Sequence, residues 1–216
     1  MSDISDNNKK ENFDCSFCHV QACTGKKQGA AYPSFCETSR LDKNILDSAM
    51  REYKKDEIHA IACAAAEVEA EGYCKLTRIE EIMLFAKKMK YRKIGIATCV
   101  GLLNETKALE KILRKNDFEV YGIACKVGAQ RKIDIGIDES CCAVGPHICN
   151  PVLQAKLLNK AKTDFNLVVG LCVGHDSLFY KYSAAPVTTV ITKDRVLGHN
   201  PAAALYSSYY TKKLLP

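Results

Sequence analysis

The spacing of apolar positions changes partway along the chain. Between Leu41 and Glu71, Ile45, Ala49 and Tyr53, then Ile58, Ile61, Ala62, Ala65 and Val68, recur at three- and four-residue steps. That is the spacing of one helical face, and it predicts one long helix or two that break near Asp56. Thr77-Arg78-Ile79-Glu80 then forms a capping box, with Thr77 as N-cap and Glu80 reaching back to it. It opens a helix with Ile79, Met83, Ala86 and Met89 on the inner face. From residue 93 the period shortens to that of strands. Lys93–Cys99 (KIGIATC), Phe118–Cys125 (FEVYGIAC), Asn166–Cys172 (NLVVGLC) and Val187–Lys193 (VTTVITK) are short β-rich runs. A helix from Asn104 to about Lys115 separates the first two. Asn150-Pro151 and Asn200-Pro201 each read as an N-cap followed by proline at the first helical position, starting helices at 151–163 and 201–210. Strands alternating with helices of about ten or more residues predict an α/β fold. The expected architecture is a parallel, Rossmann-like sheet of four strands or slightly more, with helices on both faces.

The same reading divides the chain into a disordered N-terminus (1–12), a cysteine-rich module (13–38), a helical segment (39–90) and the α/β domain (91–216). A hydrophobic fraction of 47% over 216 residues is ample for a real core. No apolar run approaches the roughly 18–20 residues of a membrane span. Met1–Lys10 is polar and lacks the apolar stretch of a secretory signal, so a cytoplasmic setting is expected. There, twelve cysteines are thiols, metal ligands or redox groups rather than disulfides. The net charge of +6 resides in residues 91–216, the first 90 being close to neutral. A basic second part suits an anionic ligand, and a solvated lysine-rich surface accounts for it equally well. No Lys/Arg run is interleaved with aromatics, so neither nucleic acid nor membrane is an expected partner. The pattern does not set the oligomeric state.

Cys15, Cys18, Cys23 and Cys36 stand at the spacing C-x2-C-x4-C-x12-C. Two thiolates two residues apart can face one knuckle, and two later ones close a tetrahedron. The intervening residues have little apolar bulk, so metal binding would supply the folding energy. Four thiolates suit zinc or an iron–sulfur cluster. The order reverses the plant-ferredoxin spacing and lacks a second compact C-x2-C, which favours a closed structural zinc site. Cys74, just before the Thr77 cap, is an alternative to Cys36 as fourth ligand.

The predicted fold places a second cysteine set. Cys99, Cys125 and Cys172 end three parallel strands, the edge at which open α/β sheets bind ligands. If the strand order is 2-1-3-4, the first and third strands are neighbours and bring Cys99 and Cys172 together. Cys149 directly precedes a helix start, where the dipole favours a thiolate. His175 follows Cys172 by three residues, and Lys126, Lys193, Asp194, Arg195 and His199 are expected on the same rim. For Cys63 and Cys125, a small buried hydrophobe is an equally good reading. Asp194 beside Arg195 makes an internal ion pair a competitor to a ligand clamp. The turn after the first strand, Thr98-Cys99-Val100-Gly101, has no G-x-G-x-x-G, which argues against a standard dinucleotide or P-loop phosphate site.

Three thiolates, Cys99, Cys149 and Cys172, can hold a second metal or a 4Fe–4S cluster with one open iron. Redox or sulfur chemistry on a small anionic or sulfur-containing molecule would follow. Cys149, Cys172 and His175 are then the catalytic candidates, with Lys193 and Arg195 as polar partners. Two other readings compete: a non-catalytic metal- or sulfur-handling accessory protein, and a metal-free thiol redox protein. In the latter Cys149 is the nucleophile and Cys172 or Cys99 the resolving thiol.

The stretches IGIATCVGL (94–102), CNPVLQAKLLN (149–159), GLCVGHDSLF (170–179) and APVTTVITKDRVLGHNPAAALY (185–206) closely resemble a domain-of-unknown-function family. Its members are described as predicted cysteine-rich, metal-binding proteins found mainly in anaerobic bacteria and archaea. The resemblance runs over most of residues 15–206. It implies metal binding by the N-terminal cysteines and a cytosolic setting, and supplies no reaction.

Overall fold

A computed structural model of the chain describes residues 15–215. The disordered segment expected at 1–12 lies outside them. The chain divides into two units, one ending at Ala62 and the other starting at Cys63.

The first unit begins with two 3-10 turns, Cys15–Phe17 and Ala22–Thr24, followed by α1 (Glu37–Arg40), α2 (Lys43–Glu52) and the start of α3 (Asp56–Gly72). Of the two alternatives for the helical pattern, the broken one holds. α2 is capped by the Asp42 carboxylate, which accepts from the Asn44 amide at 2.8 Å. It closes at Tyr53, and a turn at Lys54–Lys55 leads to Asp56.

The second unit takes the rest of α3 and then α4 (Arg78–Lys88), β1 (Lys93–Thr98), α5 (Leu103–Lys115), β2 (Glu119–Ala124), α6 (Pro151–Ala161), β3 (Phe165–Val169), α7 (His175–Tyr182), β4 (Val187–Ile191), α8 (Ala203–Tyr206) and α9 (Ser208–Leu214). The capping box forms at α4: Glu80 Oε2 accepts from the Thr77 amide at 2.7 Å and Thr77 Oγ1 from the Glu80 amide at 3.4 Å. The helix turns Ile82 and Ala86 fully inward, with Ile79 and Met83 beside them.

The sheet is wholly parallel in the order β2-β1-β3-β4. The central strands β1 and β3 are buried along almost their whole length, and the edges β2 and β4 only in part. Strands covered on both faces read as continuous apolar runs, which is why these two showed no alternation. On one face α4 and α5 pack Ile82, Leu109 and Leu113 against Ile94, Ile96 and Leu167. On the other, α6 and α7 bring Ala155, Leu158 and Phe179 against Ala97 and Val168. The chain leaves β1 and β3 in opposite directions, so a crevice opens between their carboxyl ends.

Two local expectations differ. α7 was not foreseen, because its eight residues bury only Phe179 and carry no repeated apolar face. Asn200 does not cap a helix. The chain turns through Pro201 and Ala202, begins α8 at Ala203, and breaks at the extended Ser207 before α9. No two cysteines among the described residues are joined in a disulfide. Among the described residues, no helix is long and apolar enough to cross a membrane.

One cross-strand pair governs the centre of the sheet. Gly95 lies opposite Asn166, whose fully buried side chain accepts from Thr163 Oγ1 and donates to Ser183 Oγ, both at 2.8 Å. A Cβ on Gly95 would stand 2.0 Å from Asn166 Oδ1 and 2.9 Å from Leu158 Cδ1. Gly95→Ala is therefore expected to cost about 1–3 kcal/mol, through overpacking and loss of buried hydrogen bonds. The check is a lower urea midpoint at unchanged slope.

Candidate functional site: a thiol crevice at the sheet edge

The ends of β1, β2 and β3 each deliver a cysteine, placed by backbone hydrogen bonding. Cys99 leaves β1 with its amide on the Val169 carbonyl at 3.0 Å, tying it to the end of β3. Cys125 leaves β2 with its amide on the Thr98 carbonyl at 2.8 Å, and its own carbonyl accepts from the Asn150 amide at 2.7 Å. That last bond sets Cys149, the residue before Asn150, beside Cys125. Asn150 also caps α6, its side chain accepting from the Leu153 amide at 2.9 Å. Behind it the buried Gln154 donates to the Thr98 and Ile123 carbonyls at 3.2 and 2.6 Å, strapping α6 across the ends of both strands. Gly170 follows β3 at φ +63, and a Cβ there would meet Leu102 Cδ1 at 2.0 Å. It turns the chain toward Cys172, whose carbonyl accepts from the His175 amide at the start of α7 at 2.9 Å.

The result is a cavity of about 780 Å³ with Cys99, Cys125, Cys149 and Cys172 on its lining. This lies within the roughly 300–1,000 Å³ of small-molecule sites. Lys126, Lys132, Lys193, Arg195 and His175 line it too. Lys193 Nζ lies 3.5 Å from Cys99 Sγ, which also accepts from the Gly101 amide at 3.4 Å. Arg195 Nη2 reaches Cys172 Sγ at 2.9 Å. Cys125 Sγ accepts from the Val100 amide at 3.4 Å. Among the described residues, ion pairs with carboxylates are formed by Arg40, Lys55, Lys88 and Arg114, none of which lines the cavity.

Cys125 and Cys149 form an unequal pair. The Cys125 thiol hydrogen-bonds to Cys149, and with further help from Lys126 and His175 this lowers the Cys149 thiol to about 5. The same bond, together with burial, pushes Cys125 up, so it keeps its proton. The arrangement is one thiolate with an adjacent proton-bearing thiol.

Of the residues expected on this rim, Cys99, Cys125, Lys126, Cys149, Cys172, His175, Lys193 and Arg195 line the same cavity, and Asp194 and His199 are not on its lining. Asp194 does not pair with Arg195. Its carboxylate accepts from the Val196 and Leu197 amides at 2.9 and 2.8 Å, which releases Arg195 toward Cys172. His199 accepts from the Asp194 amide at 3.1 Å and supports this turn. Sequence reasoning left Cys125 as an undecided core residue and passed over Lys132. The only available signal for Cys125 was its place at a strand end.

The front cysteines have another character. Cys15 and Cys23 are exposed, Cys18 is half-buried and Cys36 is buried. Cys18 Sγ accepts from the Gln21 amide at 3.4 Å. Hydrogen bonding from Thr38 lowers the Cys36 thiol. Soft thiolate donors suit zinc. Among the described residues, no three His, Cys, Asp or Glu side chains form a metal-ligand group, at this end or in the crevice.

A family model described as a protein of unknown function, DUF1847, matches residues 36–190. The match includes every crevice cysteine and begins after Cys15, Cys18 and Cys23. An uncharacterized protein of Methanocaldococcus jannaschii is 49% identical over 209 residues, covering 93% of this chain and 97% of its own length. No solved structure matches the chain.

The Cys149 thiol, lowered in the fold, stays ionised above about pH 5 and loses its charge only as pH falls through that value. An unperturbed thiol loses it below about 8.5. Cys149 alkylation by iodoacetamide, followed by peptide mapping, is expected to hold its plateau down to about pH 6. Cys125→Ala and Lys126→Met should each move the midpoint upward.

Proposed function

This chain belongs to the DUF1847 family of proteins of unknown function, and from its crevice we propose a thiol-based redox protein acting on a small anionic, sulfur-containing molecule in the cytoplasm. The observation that carries this reading is the placement of Cys149 beside Cys125, through the Asn150 amide on the Cys125 carbonyl, on the lining of a cation-ringed cavity. In the proposed step, the Cys149 thiolate attacks one sulfur of a substrate disulfide. The substrate S–S bond breaks and the departing thiolate takes the Cys125 proton, while the cations offset its negative charge. The Cys125 sulfur then attacks Cys149 Sγ and expels the second half of the substrate as a thiolate. One protein thiol and one thiolate become a disulfide, and the substrate gains the two electrons. A thiol reductant restores the pair. Cys125 thus takes the resolving role first considered for Cys172 or Cys99. Those two, each hydrogen-bonded to a cation, flank the reacting pair.

One equivalent of glutathione disulfide under anaerobic conditions is expected to yield a Cys125–Cys149 disulfide in peptide maps. Cys125→Ser should stop at a mixed disulfide on Cys149, and Cys149→Ser should not react. Mixed disulfides scattered over other cysteines would defeat this reading. So would iron with acid-labile sulfide that disappears from a Cys99/Cys149/Cys172 triple serine variant, which would favour a cluster instead.

A second reading concerns the first unit, where cysteine spacing and the backbone N–H on Cys18 Sγ favour a structural metal. Metal would have to gather the four sulfurs, as in folding coupled to binding. Anaerobically purified protein is expected to hold about one zinc per chain. A Cys15/Cys18 double serine variant should lose it, while Cys149→Ser should keep it.

A further inference from the structure

One wall of the crevice has no part in the thiol chemistry. It comes from the connection between β2 and α6, where Ile135, Ile137, Val144 and Ile148 line the cavity. Ile135 is 61% and Val144 88% exposed. Val100 and Leu178 extend this aliphatic surface from the β1–α5 turn and α7. Single apolar side chains on a convex surface need no explanation. Several gathered in a concave site beside a few polar groups are the composition of a ligand pocket.

The same cavity holds a buried cation with no carboxylate partner among the described residues. Lys132 is only 9% exposed, and its ammonium donates to the Cys141 carbonyl, with no carboxylate in ion-pair distance among the described residues. A buried cation without a counter-ion is costly, and an anion in the cavity removes that cost. His175 Nδ1, on the same lining, is buried without a hydrogen-bond partner among the described residues.

We propose that the crevice takes an amphipathic anion, with an aliphatic or aromatic body and a charged end group, and that the β2–α6 connection selects it. A bare inorganic anion leaves the aliphatic wall uncovered, and a neutral hydrocarbon leaves Lys132 without a counter-ion. The inference rests on the thiol reading of the crevice and narrows its substrate to an anionic disulfide with an apolar arm.

The test uses the full chain, with 1-octanesulfonate as probe and inorganic sulfate and 1-octanol as controls. Calorimetric titration is expected to show one site for octanesulfonate, at least about tenfold tighter than either control. Bound probe should slow alkylation of Cys149 by iodoacetamide. Replacing the exposed Ile135 and Val144 together by serine should weaken octanesulfonate about tenfold by removing apolar contact, and Lys132→Met should weaken it as well. Equal binding of sulfate, equal binding of octanol, or indifference to the Ile135/Val144 change would overturn the proposal. Titration of Cys149→Ser separates the two readings. Retained octanesulfonate binding in that variant, with unreactive Cys149 in the wild type, supports the ligand class and sinks the thiol chemistry. A reactive Cys149 without probe binding does the reverse.

Discussion

The buried amide of Gln154 ties the functional part of this molecule together. It donates to the Thr98 and Ile123 carbonyls, at the carboxyl ends of two neighbouring parallel strands. A helix docked this way cannot slide along the sheet without leaving the buried amide donor of Gln154 unpaired, a penalty larger than the worth of an ordinary surface contact. One turn earlier, the Asn150 amide on the Cys125 carbonyl repeats the tie. Together they hold the start of α6 over the ends of β1 and β2. The position of Cys149 relative to Cys125 follows from main-chain geometry, before any property of the sulfur atoms is considered.

With that frame in place, the electrostatics of the crevice have a simple cause. Four thiols crowd one cavity, and like charges there repel. The site supplies each sulfur with its own donor: the Gly101 amide and Lys193 for Cys99, Arg195 for Cys172, the Val100 amide for Cys125, and the Cys125 thiol with Lys126 for Cys149. The Cys125–Cys149 hydrogen bond divides the protons unequally. One sulfur is held as a thiolate at neutral pH and the other as a thiol, and the proposed thiol exchange requires both forms side by side.

The two cysteine groups differ in what organises them. In the crevice, strand ends, a helix cap and a glycine turn place the sulfurs, so the arrangement exists without a ligand. In the first unit, the 3-10 turns at Cys15 and Cys23 are short and bury nothing. There the proposed metal would be the organiser, since the cysteine spacing suits one and no residue of those turns is buried.

Much of the fold was legible because strand and helix periods are local properties. Continuous apolar runs marked the central strands, the capping box at Thr77 and the Asn150-Pro151 start marked helices, and two strand ends with that helix start placed Cys99, Cys172 and Cys149 on one rim. Cys125 was not legible as a site residue, since a small thiol at the end of a strand serves equally well as core packing. Its role depends on Cys149 arriving from a distant helix start. Arg195 shows the same limit: adjacency in sequence suggested Asp194 as partner, but that carboxylate is used by its own turn. Which residues end strands is written in the periodicity of nearby positions. Which sulfur shares a proton with which depends on long-range backbone hydrogen bonds that form only when the sheet and α6 are packed together.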